Sequence, residues 1–288
     1  TPTPTPEPDA DALFQLGQQL FDEYAPPEVK EQYYFPSKEQ WDAFASRLQR
    51  ALDGNSLDDL AAFEPQARAA LAALRTLPDY GDYGDWLALR LDEIDGARQA
   101  VAPRPTPGQP QGHPQAIPLY DLWLGRERAR PAPSRAGQLM PRLREAFVAE
   151  GVPPELAWLA EAESSLNPSA RSPAGATGLF QLMPETAHEL GLGTFLPDER
   201  NDPQKSARAC ARYLRILYGK FGSWPLALAA YNAGEGRLAR DLAARHASDY
   251  AGVASALPSE TRMYVPKVCA LVAVRTGITP DRLPPPRA

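Results

Sequence analysis

Two glutamates lie close together at the end of an apolar segment, in the stretch AEAESSLNP at residues 160–168. Carboxylic acids can act as general acids and bases, and ordinary glycosidases use a pair of them. Helical side chains rotate by about 100° per residue, so Glu161 and Glu163 project about 200° apart and cannot act as a pair. Leu159 and Ala160 mark the buried face, which predicts that Glu163 continues this face and that Glu161 lies nearer the solvent.

Glu163 is therefore the carboxyl group that we expect to be held against apolar side chains. Partial desolvation raises the pKa of a glutamate, and a general acid that works near neutral pH needs such a raised pKa. The alternative is an exposed glutamate in the last turn of a helix with no chemical role, which describes most glutamates in proteins.

Helical patterns dominate both parts of the chain that could position this group. Apolar residues recur at spacings of three and four within residues 11–98, which predicts a helical N-terminal domain. The tandem DYGDYGDW at residues 79–86 carries turn-forming Asp and Gly around aromatic rings, and these rings either stack on sugars or cap a helical core. Few segments alternate strictly, so the fold class is mainly α.

Proline-rich segments divide the chain. Residues 1–10 read as a Thr/Pro-rich tether and residues 99–116 as a Pro/Gly/Gln-rich linker. We therefore expect a separate helical N-terminal domain at residues 11–98, a second helical domain at residues 117–282, and a short Pro-rich tail at residues 283–288. We also expect the second domain to fold and act without residues 1–110.

The charge distribution argues against nucleic acid as a partner. The chain has a net charge of −6 and no block of Lys and Arg. Acidic residues are in excess in the first 116 residues, and basic residues are in mild excess after them. The basic excess would favour an anionic substrate, but ordinary surface variation explains it equally well.

Cysteine and histidine do not form a recognisable metal-binding pattern. The two cysteines, Cys210 and Cys269, have no CxxC spacing, and the three histidines are scattered. We expect no metal and no organic cofactor. The two cysteines either form a disulfide, if the protein is exported, or pack as two buried thiols.

The sequence also gives expectations about location. It has no uninterrupted apolar stretch of about 20 residues, the length that spans a membrane. The Thr-Pro repeats at its start are typical of a spacer between an anchor and an exported domain. We therefore expect an exported protein, with a leader or membrane tether upstream of Thr1.

Four motifs that occur in order favour a chemical role for Glu163 over the alternative of a glutamate with no role. They are ESSLNP (163–168), SPAGATGLFQLMP (172–184), AYNAGEGR (230–237) and LPSETRMYVPK (257–267). Together they resemble the family 1 lytic transglycosylases, lysozyme-like enzymes that act on bacterial peptidoglycan, and most of all the membrane-bound transglycosylase D branch. The resemblance covers about residues 117–275, and four ordered motifs are more specific than a single short signature.

The resemblance implies a lysozyme-like SLT domain with Glu163 as the single catalytic acid and base. Such enzymes cleave the β-1,4 bond between N-acetylmuramic acid and N-acetylglucosamine, and the C6 hydroxyl of the muramoyl sugar closes on C1 to give a 1,6-anhydromuramoyl end. No partner carboxylate is needed, because the substrate supplies the nucleophile. Glycan strands are the implied partner, and the periplasm or cell envelope is the implied location.

The resemblance also implies roles for seven further residues. Ser172 and Gln181 would hydrogen-bond the substrate, Met183 would line the groove, and Tyr231 would hydrogen-bond the catalytic glutamate. The same motifs add Asn232, Glu260 of the ETR sequence as an orienting acid, and Tyr264 as a groove residue. For each residue the alternative is a capping or packing role.

Other functions remain open on the sequence alone. A muramidase on the same fold would use water instead of the C6 hydroxyl, and a non-catalytic module would only bind glycan or support a cell-envelope assembly. Residues 11–98 either cover part of the groove or bind a separate cell-envelope protein. Leu166 and Phe180 depart from the family, which often has an aromatic residue at the first position and Met or Trp at the second.

Overall fold

The computed structural model describes residues 47–75, 81–102, 116–172 and 174–287. Residues 47–53 are helical. The helices that follow are α1 (Leu57–Ala61), α2 (Glu64–Leu74), α3 (Gly81–Val101), α4 (Tyr120–Arg128), α5 (Ala136–Ala149), α6 (Leu159–Ser164), α7 (Pro184–Glu189), α8 (Pro203–Phe221), α9 (Trp224–Ala233), α10 (Glu235–Arg245), α11 (Tyr250–Val253) and α12 (Ser259–Thr276). Short 3₁₀ turns lie between them, and pairing of strand type in these ranges consists of two isolated bridges within residues 171–182. The expectation of a mainly α fold is confirmed.

Local capping explains where the long helices of the C-terminal half begin and end. Asp202 caps α8 by accepting hydrogen bonds from the backbone N–H groups of Gln204 and Lys205, both at 2.9 Å. Pro203 follows at the first helical position, where its missing N–H costs nothing. Gly222 and Gly277 adopt left-handed conformations that stop α8 and α12.

The larger core fills the C-terminal half around α8, α9 and α12. Leu156, Phe180, Leu214, Ala229 and Val268 are among its buried residues. The chain after α12 packs on this core as well. Trp224 donates its indole N–H to the carbonyl of Pro284 at 2.9 Å, and the N–H of Arg287 bonds to the carbonyl of Gly151 at 2.7 Å. The Pro-rich tail therefore contacts the C-terminal half as far as residue 287.

A second core joins the N-terminal helices to the C-terminal half. Leu60 and Ile94, from α1 and α3, are fully buried together with Trp123 of α4 and with Met263 and Ala270 of α12. Within residues 47–102 the N-terminal part therefore packs on the helices of the C-terminal half and not apart from them. Residues 1–46, with the tether and the first part of the predicted N-terminal domain, lie outside the described residues.

The predicted boundaries around α3 need correction. The tandem at residues 79–86 was expected to be a turn, but α3 begins at Gly81 and carries Trp86 in its second turn. The linker was expected to begin at residue 99, yet α3 continues to Val101. Tertiary packing of the apolar face of α3 outweighs the local turn preference of Asp and Gly, whose helix penalty is about 1 kcal/mol or less per residue.

Buried charges also connect α3 to the C-terminal half. Lys267 of α12 has a 1% exposed side chain, and its Nζ lies 3.1 Å from Asp92 Oδ2 and 3.5 Å from Glu93 Oε1. Asp92 Oδ1 also accepts from Arg126 at 2.5 Å and from Arg130 at 2.7 Å. We call these five residues the interhelix charge cluster. Its ion pairs tie α3 and α4 to α12.

The structure also shows the state of the two cysteines and the character of the helices. Cys210 and Cys269 are buried free thiols. They pack in the core and do not form the disulfide that was the other alternative. Among the described residues, no helix is both long enough and apolar enough to cross a bilayer.

Candidate active site

Glu163 lies in the last turn of the short helix α6. A 3₁₀ turn at Pro154–Trp158 leads into this helix, and Ser165 and Leu166 leave it with φ of 51° and 60°. Two consecutive left-handed residues turn the chain sharply. The turn leaves Glu163 half-buried at the end of an otherwise buried helix.

The environment of Glu163 brings the pKa of its carboxyl group close to neutral pH. Desolvation raises its pKa to about 7, and this rise outweighs the opposing effects of the Tyr264 hydrogen bond and of the Arg90 charge. The Tyr264 hydroxyl donates to Glu163 Oε1. When Glu163 is protonated, Oε2 is the oxygen that can carry the proton while Oε1 accepts from Tyr264.

Glu161 is not near the solvent, contrary to the sequence prediction. Its side chain is 5% exposed and pairs with Arg275, which donates to the two carboxylate oxygens at 2.9 Å and 2.6 Å. The helical angle correctly separated the two glutamates, but a basic residue 114 positions away supplies the partner that lets Glu161 be buried. Glu161 is thereby excluded as a catalytic partner.

The loop between residues 170 and 182 brings Gln181 to the same space as Glu163. Gln181 and Glu163 both line a narrow cavity, and the Gln181 backbone has a φ of 45°. Its side-chain amide donates to the carbonyls of Gly178 at 2.9 Å and Ala170 at 3.2 Å. Ser172 closes the turn of the loop by accepting a hydrogen bond from the N–H of Ala176 at 3.0 Å.

Arg200, which the sequence did not single out, fixes this loop from behind. Its guanidinium donates to the carbonyls of Gly175 at 2.9 Å and Leu182 at 3.0 Å and is paired with Asp198. A buried arginine with these partners stabilises the fold more than an arginine on the surface does. Its loss would leave several buried acceptors without a hydrogen bond. No motif signal marked it, because its partners are backbone atoms of a distant segment.

We predict that Gly178→Ala destabilises the protein by about 2 kcal/mol and disturbs this loop. Gly178 has a φ of +82°, and a Cβ atom there would lie 2.1 Å from the carbonyl oxygen of Arg200. Gly219→Ala, in α8 with no atom within 4 Å of the new Cβ, is the matched control and should be neutral or stabilising. Urea unfolding of both variants checks this, and equal stabilities would contradict it.

Tyr264, and not Tyr231 as the resemblance implies, forms the hydrogen bond with Glu163. Tyr231 donates its hydroxyl to the carbonyl of Phe180 at 2.6 Å and accepts a weak bond from the Cys210 thiol at 3.7 Å. Tyr264, expected only to line a groove, donates to Glu163. Tyr231 therefore anchors the residue before Gln181, while Tyr264 contacts the catalytic candidate directly.

Asn232 and Glu260 are brought together beside Tyr264. The Asn232 amide donates to Glu260 Oε1 at 3.3 Å and accepts from the Thr261 hydroxyl at 2.6 Å. Glu260 Oε1 also accepts from Arg90 of α3. Glu260 and Thr261 of the ETR sequence thus belong to a polar network that also includes Arg90, outside the C-terminal half.

Residues of α3 border the space beside Glu163. The sequence offered covering of the groove by residues 11–98 as one alternative but named no residue for it. Asp85, Trp86 and Leu89 line the cavity that Glu163 and Gln181 share. Trp86 also packs against the second core, which agrees with the packing interpretation of the aromatic tandem. Met183 lies at the N-terminal end of α7 with 39% of its side chain exposed.

The acids, histidines and cysteines of the described ranges contain no group of three that could hold a metal ion. The charged groups nearest Glu163 are instead paired with one another. With a pKa of about 7, the Glu163 carboxyl group can donate or accept a proton near neutral pH.

The middle of the C-terminal half matches the profile of a known protein family. Residues 144–252 match the family profile described as "Transglycosylase SLT domain". The matched range contains Glu163, Ser172, Gln181, Met183, Tyr231 and Asn232, whereas α3 and most of α12 lie outside it.

Curated relatives agree with this match over part of their length. The chain is 38% identical over 126 residues to membrane-bound lytic murein transglycosylase D of Escherichia coli K12, covering 42% of this chain and 27% of that protein. It is 39% identical over 120 residues to the soluble lytic murein transglycosylase of Salmonella typhimurium, covering 39% of this chain and 19% of that protein. The aligned part thus spans about a quarter or less of these relatives.

Solved structures of similar proteins include the 70 kDa soluble lytic transglycosylase of Escherichia coli. Its TM-score is 0.44 at 17% identity, with 96% of this chain and 59% of that chain covered. A complex of the 70 kDa soluble lytic transglycosylase with bulgecin A has a TM-score of 0.45 at 18% identity and the same coverage.

Proposed function

We propose that this protein, which carries a transglycosylase SLT domain at residues 144–252, is a peptidoglycan lytic transglycosylase. It would cleave the β-1,4 bond between N-acetylmuramic acid and N-acetylglucosamine and leave 1,6-anhydromuramoyl ends. The observation that carries the proposal is the half-buried Glu163, whose pKa is raised to about 7 and whose nearest acidic neighbour in sequence, Glu161, is engaged by Arg275.

The proposed reaction uses Glu163 twice. Protonated Oε2 gives its proton to the glycosidic oxygen as the bond to C1 of the muramoyl sugar breaks. The resulting carboxylate then removes the proton from the C6 hydroxyl, whose oxygen forms the new bond to C1. Glu163 regains its proton and no water is consumed. A raised pKa suits both steps, because the group must donate and accept a proton near neutral pH.

The surrounding residues support this cycle. Tyr264 donates to Oε1 and would stabilise the carboxylate that forms between the two steps. Gln181 lines the cavity next to Glu163, and its neighbour Phe180 is anchored through Tyr231. We propose Ser172, Met183, Asn232 and Glu260 as further substrate-side or orienting residues, on the strength of their motifs.

The pKa of Glu163 predicts how the activity depends on pH. The free enzyme must hold the proton, so kcat/KM should be constant below about pH 7 and fall as the pH rises through the pKa of about 7. Initial rates of product release from soluble glycan strands, followed by chromatography across this range, check the prediction. A fall centred near pH 4.5, the value of an ordinary glutamate, would contradict it.

Mass spectrometry of the products tests the proposed function. Digestion of purified peptidoglycan should release fragments with anhydromuramoyl ends. Reducing ends would mean that water attacks C1 and that the protein is a muramidase. If the protein binds glycan but releases nothing, the non-catalytic alternative is correct.

The proposed substrate also implies a location. Peptidoglycan lies outside the cytoplasmic membrane, so we propose that the protein is exported to the periplasm or cell envelope. From the sequence we also propose a tether upstream of Thr1 and a cell-envelope partner for residues 11–98.

A further inference from the structure

Helix α3 passes beside the catalytic candidate, although it lies outside the matched SLT domain. Asp85, Trp86 and Leu89 share a cavity with Glu163, and Arg90 follows Leu89 on the same helix. The Arg90 side chain is only 16% exposed. A buried guanidinium so close to a reacting carboxyl group calls for an explanation, because burial of an arginine is costly unless its partners are well placed.

Arg90 bridges two acids from different helices. It donates to Glu93 Oε2 of α3 at 2.7 Å and to Glu260 Oε1 of α12. Glu260 in turn accepts from Asn232 of α9. Through these contacts a residue of the N-terminal part orders an acid and an amide that both belong to the motifs of the C-terminal half.

The charge of Arg90 also acts on Glu163. Its guanidinium favours the ionised carboxylate and so opposes the rise in the pKa of Glu163 that desolvation causes, while Glu93 and Glu260 act in the opposite direction. The titratable and charged groups that face Glu163 or line its cavity are Asp85, Arg90 and Glu93 of α3, Arg171 of the loop, Cys210 of α8, Tyr231 of α9, and Glu260 and Tyr264 of α12.

We propose that Arg90 is a positioning residue for the reaction: it holds Glu260 in place beside Asn232 and places a positive charge next to Glu163. This proposal rests on the proposed function for its meaning in catalysis. The placement of the charge is independent of that function, since it concerns Glu163 in the free protein.

Titration of Glu163 in the full-length free protein tests the placement of the charge. Carbon-13 NMR of glutamate-labelled protein follows the carboxyl resonance, which Glu163→Gln identifies by its loss. In Arg90→Gln we expect Glu163 to titrate at a higher pH than in the wild type. In Glu260→Gln, where a negative charge is lost and Arg90 is retained, we expect it to titrate at a lower pH.

Two variants separate charge from packing. Arg90→Lys keeps the charge and should titrate close to the wild type. Arg68→Gln is the matched control, because Arg68 also bridges two acids, Glu64 of α2 and Asp95 of α3, but its side chain is 49% exposed. The proposal is overturned if Arg90→Gln and Arg68→Gln titrate alike, or if Arg90→Lys shifts as far as Arg90→Gln. If Arg90→Gln does not fold, Arg90→Lys decides, because a titration of Glu163 that differs from that of the wild type would then overturn the proposal.

Kinetics on soluble glycan strands connect the placement to the reaction. Arg90→Gln should lower kcat/KM about ten-fold, the scale of a lost charge-assisted hydrogen bond, and move the alkaline fall of the pH profile upward. Wild-type protein that releases no product would refute the proposed function and leave the titration result valid. Active wild-type protein with an unchanged Arg90→Gln profile would refute the role of Arg90 alone.

Discussion

Glu163→Gln is expected to reduce the release of anhydromuramoyl products at least about a thousand-fold. General acid or base catalysis by one positioned group contributes about 10²- to 10⁴-fold, and here the same group performs both proton transfers. Glutamine keeps the shape of the side chain and can still accept the hydrogen bond from Tyr264, but it cannot donate a proton to the leaving oxygen. Product release per unit time, measured by mass spectrometry with an internal standard, gives the ratio.

The variant should lose activity without losing its fold. Because the folded-state pKa of Glu163 is raised, the folded protein binds this proton more tightly than the unfolded chain does. The contribution of Glu163 to stability therefore falls as the pH rises through about 7, where a buried charge must form. Neutral glutamine removes that cost, so the variant should unfold at an equal or higher temperature than the wild type above about pH 7.

An exposed glutamate gives the matched control. Glu189, the last residue of the short helix α7, is exposed, and Glu189→Gln should retain wild-type activity. Activity of Glu163→Gln within ten-fold of this control would show that another group delivers the proton, and the assignment of Glu163 would be wrong.

Helical geometry predicted that Glu161 and Glu163 point in different directions, but it did not predict the burial of Glu161. The angle between Glu161 and Glu163 follows from local helix geometry alone, so it could be calculated without a structure. The burial of Glu161 depends on Arg275, and no local pattern relates two residues so far apart in the chain. Local periodicity predicts the direction of a side chain, whereas charge compensation by a distant helix decides whether a polar side chain is buried.

The two tyrosines of the site show the same limit of prediction from local sequence patterns. The motifs indicated both Tyr231 and Tyr264, but the hydrogen bond to Glu163 is made by Tyr264 and not, as the resemblance implies, by Tyr231. Hydroxyl partners depend on how α9 and α12 pack against α6, and sequence motifs do not contain that packing. The same reason explains why Arg200 was missed.

The candidate site extends beyond the residues that match the SLT domain. The sequence suggested that residues 117–282 would fold and act without residues 1–110, because proline marks a boundary near residue 99. The described helix α3 instead shares a core with Met263 and Ala270 and places Arg90 beside the site. Proline content reports the stiffness of a connection but not whether the segments it joins pack together.

Lys267→Met is expected to lower the free energy of unfolding by about 3 kcal/mol, and it tests this connection between the two parts of the chain. Removing one partner of a buried ion pair typically costs about 3–5 kcal/mol, because the remaining charge has no compensation. We expect the lower end, since Arg126 and Arg130 still pair with Asp92, and Arg90 still pairs with Glu93. Urea unfolding at matched protein concentration measures the change.

The pH dependence of this loss identifies its cause. Desolvation raises the pKa of Glu93, and Arg90 and Lys267 oppose that rise. Without Lys267 the pKa of Glu93 rises further, so Glu93 can take up a proton as the pH falls and relieve the uncompensated charge. Lys267→Met should therefore lose less stability at about pH 5 than at about pH 8, and the added change Glu93→Gln should restore part of the loss at the higher pH.

A surface lysine distinguishes the buried charge from a general effect of Lys→Met. Lys220 pairs with Glu235 at 3.2 Å, and both side chains are nearly half exposed, so Lys220→Met should change stability by less than about 1 kcal/mol. If Lys267→Met is as harmless as this control, α3 is not held to α12 by the interhelix charge cluster. The shared apolar core would then be the main connection, and Arg90 would owe its position to the packing of Leu91 and Ile94.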